Sequence, residues 1–283
     1  MQGWRMASGR KEILLRKALS LTLAMKVYEK IRKEQVRLMY QNYIFDLYGT
    51  LIDIHTDESS KNFYKKYVKW LRKQRYYFDW KQFRSSFLRI EQQYRSQLSK
   101  HHNPEIQIED VFRDVFREKG YELDAEEILW LCESFRRISL IYLRLFPDTL
   151  QCLDALKKAG KHIYLLSNAQ RSYTWQELEI SGILHFFDGV LISSDEGCMK
   201  PDTDFYDILC ERYHLDKKES VMIGNELRSD MAGAKAAGID GFYLNRLAVF
   251  HEPEQVDYRY VSKNGSLMEV LIQTGVIEHA GQG

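Results

Sequence analysis

Apolar and polar positions change their spacing along the 283 residues in a way that divides the chain into blocks. Residues 1–40 are basic and have a helical spacing of apolar positions. In residues 57–145 the apolar positions recur three and four apart, which predicts three to five helices packed on one another. Residues 41–56 and 146–250 carry short apolar runs typical of buried strands, and 251–283 form a C-terminal segment.

The alternation of strands and helices after residue 146 predicts the fold class. Strands are predicted at 162–167, 189–193, 220–224 and 241–245. Helices are predicted between them, at 149–159, 172–179, 204–213 and 229–237. This order indicates an α/β fold with a doubly wound parallel sheet, and the helical block 57–145 is an inserted subdomain. Ligands bind such sheets at the carboxyl ends of the strands.

Polar side chains stand at those strand ends, and they are the candidates for a functional site. They are Asp46, Ser167, Asn168, Lys200 in a loop, Asn225, Glu226 and Asp230. A single residue of this kind is more often a helix cap or a turn former. Their order after consecutive predicted strands favours a common site instead.

Composition and charge limit the classes of function to be expected of this chain. Apolar residues make up 45% and charged residues 29% of the chain, as in ordinary globular proteins. The net charge of +1 gives no general reason to expect nucleic acid or an anionic membrane as a partner. No stretch reaches the roughly 20 apolar residues of a membrane span. The four cysteines show no CxxC pair or zinc-ligand spacing, so a reducing, cytoplasmic setting is expected.

The N-terminus has two interpretations. A basic stretch precedes the short apolar run 18–25, as in a weak signal peptide. However, Lys26 closes the run directly and the helical pattern continues beyond it. An exposed basic amphipathic helix is therefore favoured, as a docking element for a partner that the sequence does not identify.

Four segments, in order, resemble the motifs of the haloacid dehalogenase superfamily. They are Phe45-Asp-Leu-Tyr-Gly-Thr-Leu51, Leu165-Leu-Ser-Asn168, Met199-Lys-Pro-Asp202, and the stretch 222–234 that begins Met-Ile-Gly-Asn-Glu. Together they span about residues 41–250. The resemblance implies a Rossmann-like hydrolase core with a helical cap over the active site, and a small anionic substrate.

The resemblance also implies roles for individual residues. Asp46 is expected to be the nucleophile, which divides a substitution into two steps through a covalent intermediate. Ser167 is expected to donate a hydrogen bond to the substrate, and Lys200 to hold the nucleophile and an anionic substrate together. Thr50 and Asn168 are the expected substrate contacts.

In phosphatases of this superfamily the fourth motif supplies ligands to Mg²⁺, which prefers oxygen ligands. The resemblance therefore implies Mg²⁺ as cofactor. Its expected ligands are Asp46, the Tyr48 backbone carbonyl, Asn225, Glu226 and Asp230. Asn225 stands where an aspartate is common, so it brings an amide oxygen without charge.

Tyr48 departs from the phosphatase pattern, in which a second aspartate protonates the leaving group and then activates water. Tyrosine, with an ordinary pKa of about 10, cannot do both at neutral pH. The order Asp-x-Tyr-Gly-Thr resembles the 2-haloacid dehalogenase branch, which needs neither metal nor leaving-group acid. The spacing from Asn225 to Asp230 instead resembles the metal-dependent members.

Three hypotheses therefore stay open. The first is a Mg²⁺-dependent phosphatase acting on a small phosphorylated metabolite, favoured by the fourth motif and Lys200. The second is a metal-independent hydrolase like the 2-haloacid dehalogenases, favoured by Tyr48. The third is a binding or regulatory protein on a catalytically weak core, for which Tyr48 and Asn225 together argue.

Overall fold

A computed structural model of the chain describes residues 40–98, 100–246, 258–262 and 264–277. A six-stranded parallel sheet forms its centre, with the strands in the order β5-β4-β1-β6-β7-β8. Its strands are β1 (Asn42–Phe45), β4 (His162–Ser167), β5 (Gly189–Ile192), β6 (Ser220–Gly224), β7 (Asp240–Leu244) and β8 (Tyr260–Ser262). The α/β fold with a parallel sheet, predicted from the alternating pattern, is confirmed.

Helices cover both faces of this sheet. They are α5 (Thr149–Lys158), α6 (Arg171–Ile180), the short α7 (Ser193–Glu196), α8 (Thr203–Tyr213), α9 (Ala232–Ala237) and α10 (Met268–Gln273). Successive residues of β1 serve opposite faces, because Phe45 packs in one hydrophobic cluster and Ile44 in another. A strand covered on both faces is apolar throughout, which explains the apolar runs that predicted the strands.

The inserted block forms a separate layer of four helices, within the predicted three to five. They are α1 (Lys61–Lys73), α2 (Trp80–Gln97), α3 (Ile108–Arg117) and α4 (Ala125–Ser139). Their apolar faces meet in a core rich in aromatic side chains, among them Phe83, Phe112 and Phe135. Asp124 begins α4 in a capping box with Glu127, which satisfies two backbone N–H groups of the first turn.

An antiparallel pair of strands joins this helical layer to the sheet. It consists of β2 (Ile52–Thr56) and β3 (Leu140–Leu145), and neither strand is among those predicted from the sequence. Asp53 lies opposite Arg144 in the register, and the two side chains form an ion pair at 2.6 Å. β2 begins shortly after β1 ends, and β3 pairs with β2. The chain therefore enters and leaves the helical layer close to the carboxyl end of β1.

The described part of the C-terminal segment packs as part of the core. β8 extends the sheet beyond β7, and the Asp148 carboxylate accepts a hydrogen bond from the Leu267 backbone at 2.7 Å. In the residues that the structure describes, no helix is long and apolar enough to cross a membrane. The basic helix predicted in 1–40, with its docking role, lies outside the described residues except for Tyr40.

Candidate active site

The strand order brings three of the predicted site residues to one edge of the sheet. β1 is flanked by β4 and β6, so the carboxyl ends of these three strands lie side by side. Ser167 ends β4, Asp46 follows β1, and Asn225 follows β6. The Asp46 backbone N–H donates to the Ile223 carbonyl at 2.9 Å, which fixes the start of the loop beyond β1.

Lys200 lies at the centre of this edge. Its buried ammonium contacts Asp46 Oδ1 at 2.7 Å, Asp230 Oδ1 at 2.8 Å and the Leu166 carbonyl at 2.7 Å. Only 3% of the residue is exposed, so the ammonium lies among these three oxygens and is largely shielded from solvent. Two carboxylates thus share one ammonium, and this arrangement carries one net negative charge.

Asn168 contacts Lys200 rather than open space. Its side-chain nitrogen donates to the Lys200 carbonyl at 2.9 Å, and its oxygen accepts the Lys200 N–H at 2.8 Å. Both ends of the amide are therefore used to fix the loop that carries the lysine. Asn168 was expected to contact substrate, whereas in this arrangement its side chain positions Lys200.

Burial and neighbouring charges shift the pKa values of Asp46 and Lys200. Burial, together with the Asp230 charge, raises the pKa of Asp46 to about 6, against the lowering effect of Lys200. Burial alone would lower the pKa of Lys200, but the charges of Asp230 and Asp46 raise it above its ordinary value. At neutral pH the lysine is therefore charged and the Asp46 carboxylate is predominantly ionised, as a nucleophile requires.

The Asn225 amide lies beside the second oxygen of Asp46. One end of this amide is 3.3 Å from Asp46 Oδ2, 3.2 Å from the Tyr48 carbonyl and 3.0 Å from Thr50 Oγ1. Gly49 makes the approach possible, since its φ is +81° and a Cβ there would come within 2.5 Å of the amide. Thr50 itself is fully buried, and its hydroxyl is engaged with Asn225.

These atoms suit a hard cation when the amide oxygen faces inward. The Asn225 oxygen then lies 3.3 Å from Asp46 Oδ2 and 3.2 Å from the Tyr48 carbonyl oxygen. Neighbouring ligands in an octahedron with Mg–O bonds of about 2.1 Å are separated by about 3 Å, so these two spacings fit Mg²⁺. With the amide nitrogen inward, its two N–H bonds instead lie within hydrogen-bonding distance of Asp46 Oδ2, the Tyr48 carbonyl and Thr50 Oγ1.

The other two expected metal ligands are engaged elsewhere. Asp230 holds Lys200 with one oxygen, and its other oxygen accepts the Glu226 backbone N–H at 3.0 Å. The Glu226 carboxylate accepts a hydrogen bond from the Ser229 hydroxyl at 2.8 Å. Asp46 is thus the one carboxylate that adjoins both Lys200 and the Asn225 amide in the described residues.

A second group of ligand-type side chains comprises His101, Asp202 and Asp204, whose candidate atoms lie within 4.8 Å of one another. Asp202 accepts backbone hydrogen bonds from Asn103 at 3.1 Å and from Asp204 at 3.2 Å, so it caps α8. His101 Nδ1 contacts Asp204 Oδ2 at 2.8 Å. These contacts account for the group as a link between the helical layer and the core.

The Tyr48 hydroxyl is held by α6. It donates a very short hydrogen bond to Glu177, and the Thr174 hydroxyl lies 3.0 Å away. Burial, followed by the Glu177 charge, raises the pKa of Tyr48 well above its ordinary value. The hydroxyl therefore stays protonated and keeps its hydrogen bond to a carboxylate.

Glu177 is itself fixed by an arginine of the helical layer. Arg136 Nε donates to Glu177 at 2.7 Å, and Arg136 Nη1 donates to Glu58 at 2.7 Å. The guanidinium also lies 5.7 Å from the centre of the Tyr48 ring. Neither Arg136 nor Glu177 is among the site residues predicted from the sequence. The one local signal of this network is a glutamate on the buried face of α6.

The Ser167 hydroxyl is one of three buried side-chain polar atoms without a hydrogen-bond partner in the described residues; the others are Ser172 Oγ and Asp230 Oδ1, which lies in the ion pair with Lys200. Ser167 is fully buried, and among the described residues nothing accepts or donates a hydrogen bond at Ser167 Oγ. Buried hydroxyls are normally paired, so an unpaired one beside Asp46 suits contact with a ligand.

The chain is similar to known proteins in both sequence and fold. The profile of one family, described as haloacid dehalogenase-like hydrolase, matches residues 40–238. The glyceraldehyde 3-phosphate phosphatase of Methanothermobacter thermautotrophicus is 31% identical over 138 residues, which are 49% of this chain and 59% of that enzyme. The chain thus spans about three fifths of that relative.

Dehalogenases match over a greater length. The (S)-2-haloacid dehalogenase of Pseudomonas sp. strain YL is 25% identical over 233 residues, which are 80% of this chain and 92% of that enzyme. The 2-haloacid dehalogenase structure from Pseudomonas syringae pv. Tomato DC3000 covers 82% of this chain and 98% of its own, with a TM-score of 0.57 and 21% identity. At that identity the structural match shows the fold alone.

Proposed function

The chain belongs to the haloacid dehalogenase-like hydrolases, and we propose that it is a phosphatase that hydrolyses a small anionic phosphorylated metabolite through an intermediate on Asp46. One observation carries the proposal. Asp46 has one oxygen on the Lys200 ammonium, and its other oxygen lies 3.3 Å from the Asn225 amide, which in turn lies 3.2 Å from the Tyr48 carbonyl, a spacing that suits Mg²⁺ ligands. Asp46 thus has the charged Lys200 on one side and a position for a cation on the other.

Charge explains why both sides are needed. A phosphate monoester is an anion, and the cluster of Asp46, Asp230 and Lys200 already carries a net negative charge. Mg²⁺ held by Asp46, the Tyr48 carbonyl and Asn225 would supply the positive charge that draws the phosphoryl group to the nucleophile. Ser167, with its unpaired hydroxyl, is the proposed donor to a phosphoryl oxygen.

The phosphatase relatives add support, since glyceraldehyde 3-phosphate and phosphoserine phosphatases match about half of the chain or more at 29–31% identity. A reducing compartment such as the cytoplasm is proposed as the location, because all four cysteines are buried and free.

The proposal is tested by measuring metal binding and turnover together. Calorimetric titration with Mg²⁺ is expected to show one site, and 4-nitrophenyl phosphate is expected to turn over with Mg²⁺ but not with EDTA. Phosphatase activity that survives complete chelation would contradict the role given to Mg²⁺. Absence of any phosphatase activity with Mg²⁺ present would contradict the proposal itself.

Asn225→Asp is expected to tighten Mg²⁺ binding by at least about tenfold, because it adds a second carboxylate to a site that has one and because each charged ligand strengthens binding of a hard cation. Asn225→Leu is the matched control, since it removes the oxygen and is expected to abolish binding. The readout is the dissociation constant by calorimetry. Unchanged affinity in Asn225→Asp would show that Mg²⁺ does not bind beside residue 225.

A second candidate function is a metal-independent hydrolase like the 2-haloacid dehalogenases. Two observations favour it: Tyr48 in place of an acid, and an Asn225 amide that can donate to Asp46 Oδ2 at 3.3 Å without a cation. Release of chloride from 2-chloropropionate in EDTA, with no Mg²⁺ binding, would favour this function over the phosphatase.

A further inference from the structure

We propose that this site acts on phosphates whose leaving group departs as a stable anion, such as acyl and aryl phosphates, and discriminates against phosphates of simple alcohols. The inference rests on the proposed phosphatase function and deepens it. It follows from where the structure holds the protons around Asp46.

The Tyr48 hydroxyl is bound by α6. The resemblance to phosphatases of this family implies that a leaving-group acid would act from position 48, but the Tyr48 proton points into a hydrogen bond with Glu177, and the Thr174 hydroxyl lies at 3.0 Å. Donating this proton to a substrate would break that hydrogen bond and leave a buried phenolate beside the Glu177 carboxylate. The Glu177 side chain is only 6% exposed, so water cannot readily replace the tyrosine.

Glu177 is held in place by the helical layer. Arg136 binds it at 2.7 Å and is itself bound by Glu58 at 2.7 Å. Arg136 comes from α4 and Glu58 precedes α1, so both ends of the helical layer hold the carboxylate in place. The network thus keeps the Tyr48 hydroxyl away from a leaving-group role, and it does so as part of the connection between the helical layer and the core.

The other polar side chains around Asp46 are engaged as well. Lys200 directs its ammonium to Asp46, Asp230 and the Leu166 carbonyl, each within 2.8 Å. The Glu226 carboxylate accepts a hydrogen bond from the Ser229 hydroxyl at 2.8 Å. A serine hydroxyl such as that of Ser167 can donate a hydrogen bond, but it is too weak an acid to transfer its proton to a leaving group at neutral pH. Among the described side chains that contact Asp46 or its immediate neighbours, none offers a free acidic proton to a leaving group.

The chemical consequence follows from the two steps of hydrolysis. An Asp46 oxygen forms a bond to phosphorus while the bond from phosphorus to the leaving oxygen breaks, and its electron pair stays on that oxygen. Water then attacks the phosphorus of the aspartyl phosphate, which releases inorganic phosphate and a proton and regenerates the Asp46 carboxylate. Without an acid, the first step is fast only when the leaving oxygen is a weak base, as in a carboxylate or an activated phenolate.

The experiment compares phenyl phosphates that differ in the basicity of the leaving group and little in shape. The value of kcat/KM, which reports the first step, is measured with Mg²⁺ for phenyl phosphates bearing 4-nitro, 4-cyano, 4-chloro, hydrogen and 4-methyl substituents. We expect it to fall by about 10²-fold or more from 4-nitrophenyl to phenyl phosphate, since a general acid contributes about 10²- to 10⁴-fold. Acetyl phosphate is expected to turn over and glycerol 3-phosphate to be a poor substrate.

Tyr48→Asp and Tyr48→Phe form the matched pair of variants. Tyr48→Asp supplies a carboxyl group at the leaving-group position and is expected to make the series shallower, whereas Tyr48→Phe keeps the steep dependence. A flat series in the wild-type protein would overturn the inference and leave the phosphatase function standing. Absence of turnover with every phosphate would overturn both, and if Tyr48→Asp does not fold, the wild-type series still decides.

Discussion

Replacement of Asp46 by asparagine is expected to reduce kcat by about 10⁴-fold or more, the size of loss seen when a nucleophile is removed from a covalent mechanism. The amide is nearly isosteric with the carboxylate, so the shape of the site is kept while the nucleophilic carboxylate is lost. The measurement is kcat on the best substrate of the aryl phosphate series, and on 2-chloropropionate if chloride is released.

Asp53→Asn is the matched control for this variant. Asp53 is a carboxylate of the neighbouring antiparallel pair, where it binds the exposed Arg144, and its loss is expected to change kcat less than about threefold. Equal activity of Asp46→Asn and the parent protein would contradict the nucleophile assignment. Loss of a clear turnover would instead exclude the hypothesis of a purely binding or regulatory protein.

Replacement of Lys200 by methionine is expected to lower the free energy of unfolding by about 3–5 kcal/mol and to abolish activity. Methionine fills a similar volume, but it leaves Asp46 and Asp230 buried without their counter-charge. Each carboxylate would then be favoured in its protonated form, because burial penalises the charged state, and protonated Asp46 is not nucleophilic. The measurements are urea unfolding at neutral pH and kcat.

Lys217→Met is the matched control, because Lys217 pairs with Asp207 at the surface, where both side chains are more than one third exposed. An exposed pair of this kind contributes about 0–1 kcal/mol. Equal unfolding midpoints for the two lysine variants would show that the buried ammonium does not hold the two carboxylates in the folded protein.

The parallel sheet was predictable because its strands are buried on both faces. In a fold of alternating strands and helices, an apolar run such as the one ending at Ser167 is stable as a strand that helices cover on both faces. The antiparallel pair was not predictable, since β2 and β3 meet across more than eighty residues of inserted helices. The run Leu140–Leu145 directly follows α4 and continues its apolar character, so nothing local separates it from the helix.

The candidate site was predictable at the strand ends and not beyond them. Asp46, Ser167 and Asn225 lie together because parallel neighbours end at the same edge, which sequence order indicates. The pairing of Arg136 with Glu177 depends on how α4 packs on α6, and neither residue carries a motif. Tyr48 was recognised as a departure, but only the structure shows which groups bind its hydroxyl.

The most direct test of the account is to identify the residue that carries the covalent intermediate. The protein is mixed with 4-nitrophenyl phosphate and Mg²⁺, quenched within one turnover and treated with borohydride, which reduces an aspartyl phosphate to homoserine. Peptide mass spectrometry is then expected to find homoserine at position 46 in the parent protein and not in Asp46→Asn. Continued turnover with position 46 unmodified, or modification of another carboxylate, would contradict the assignment of Asp46 as the nucleophile.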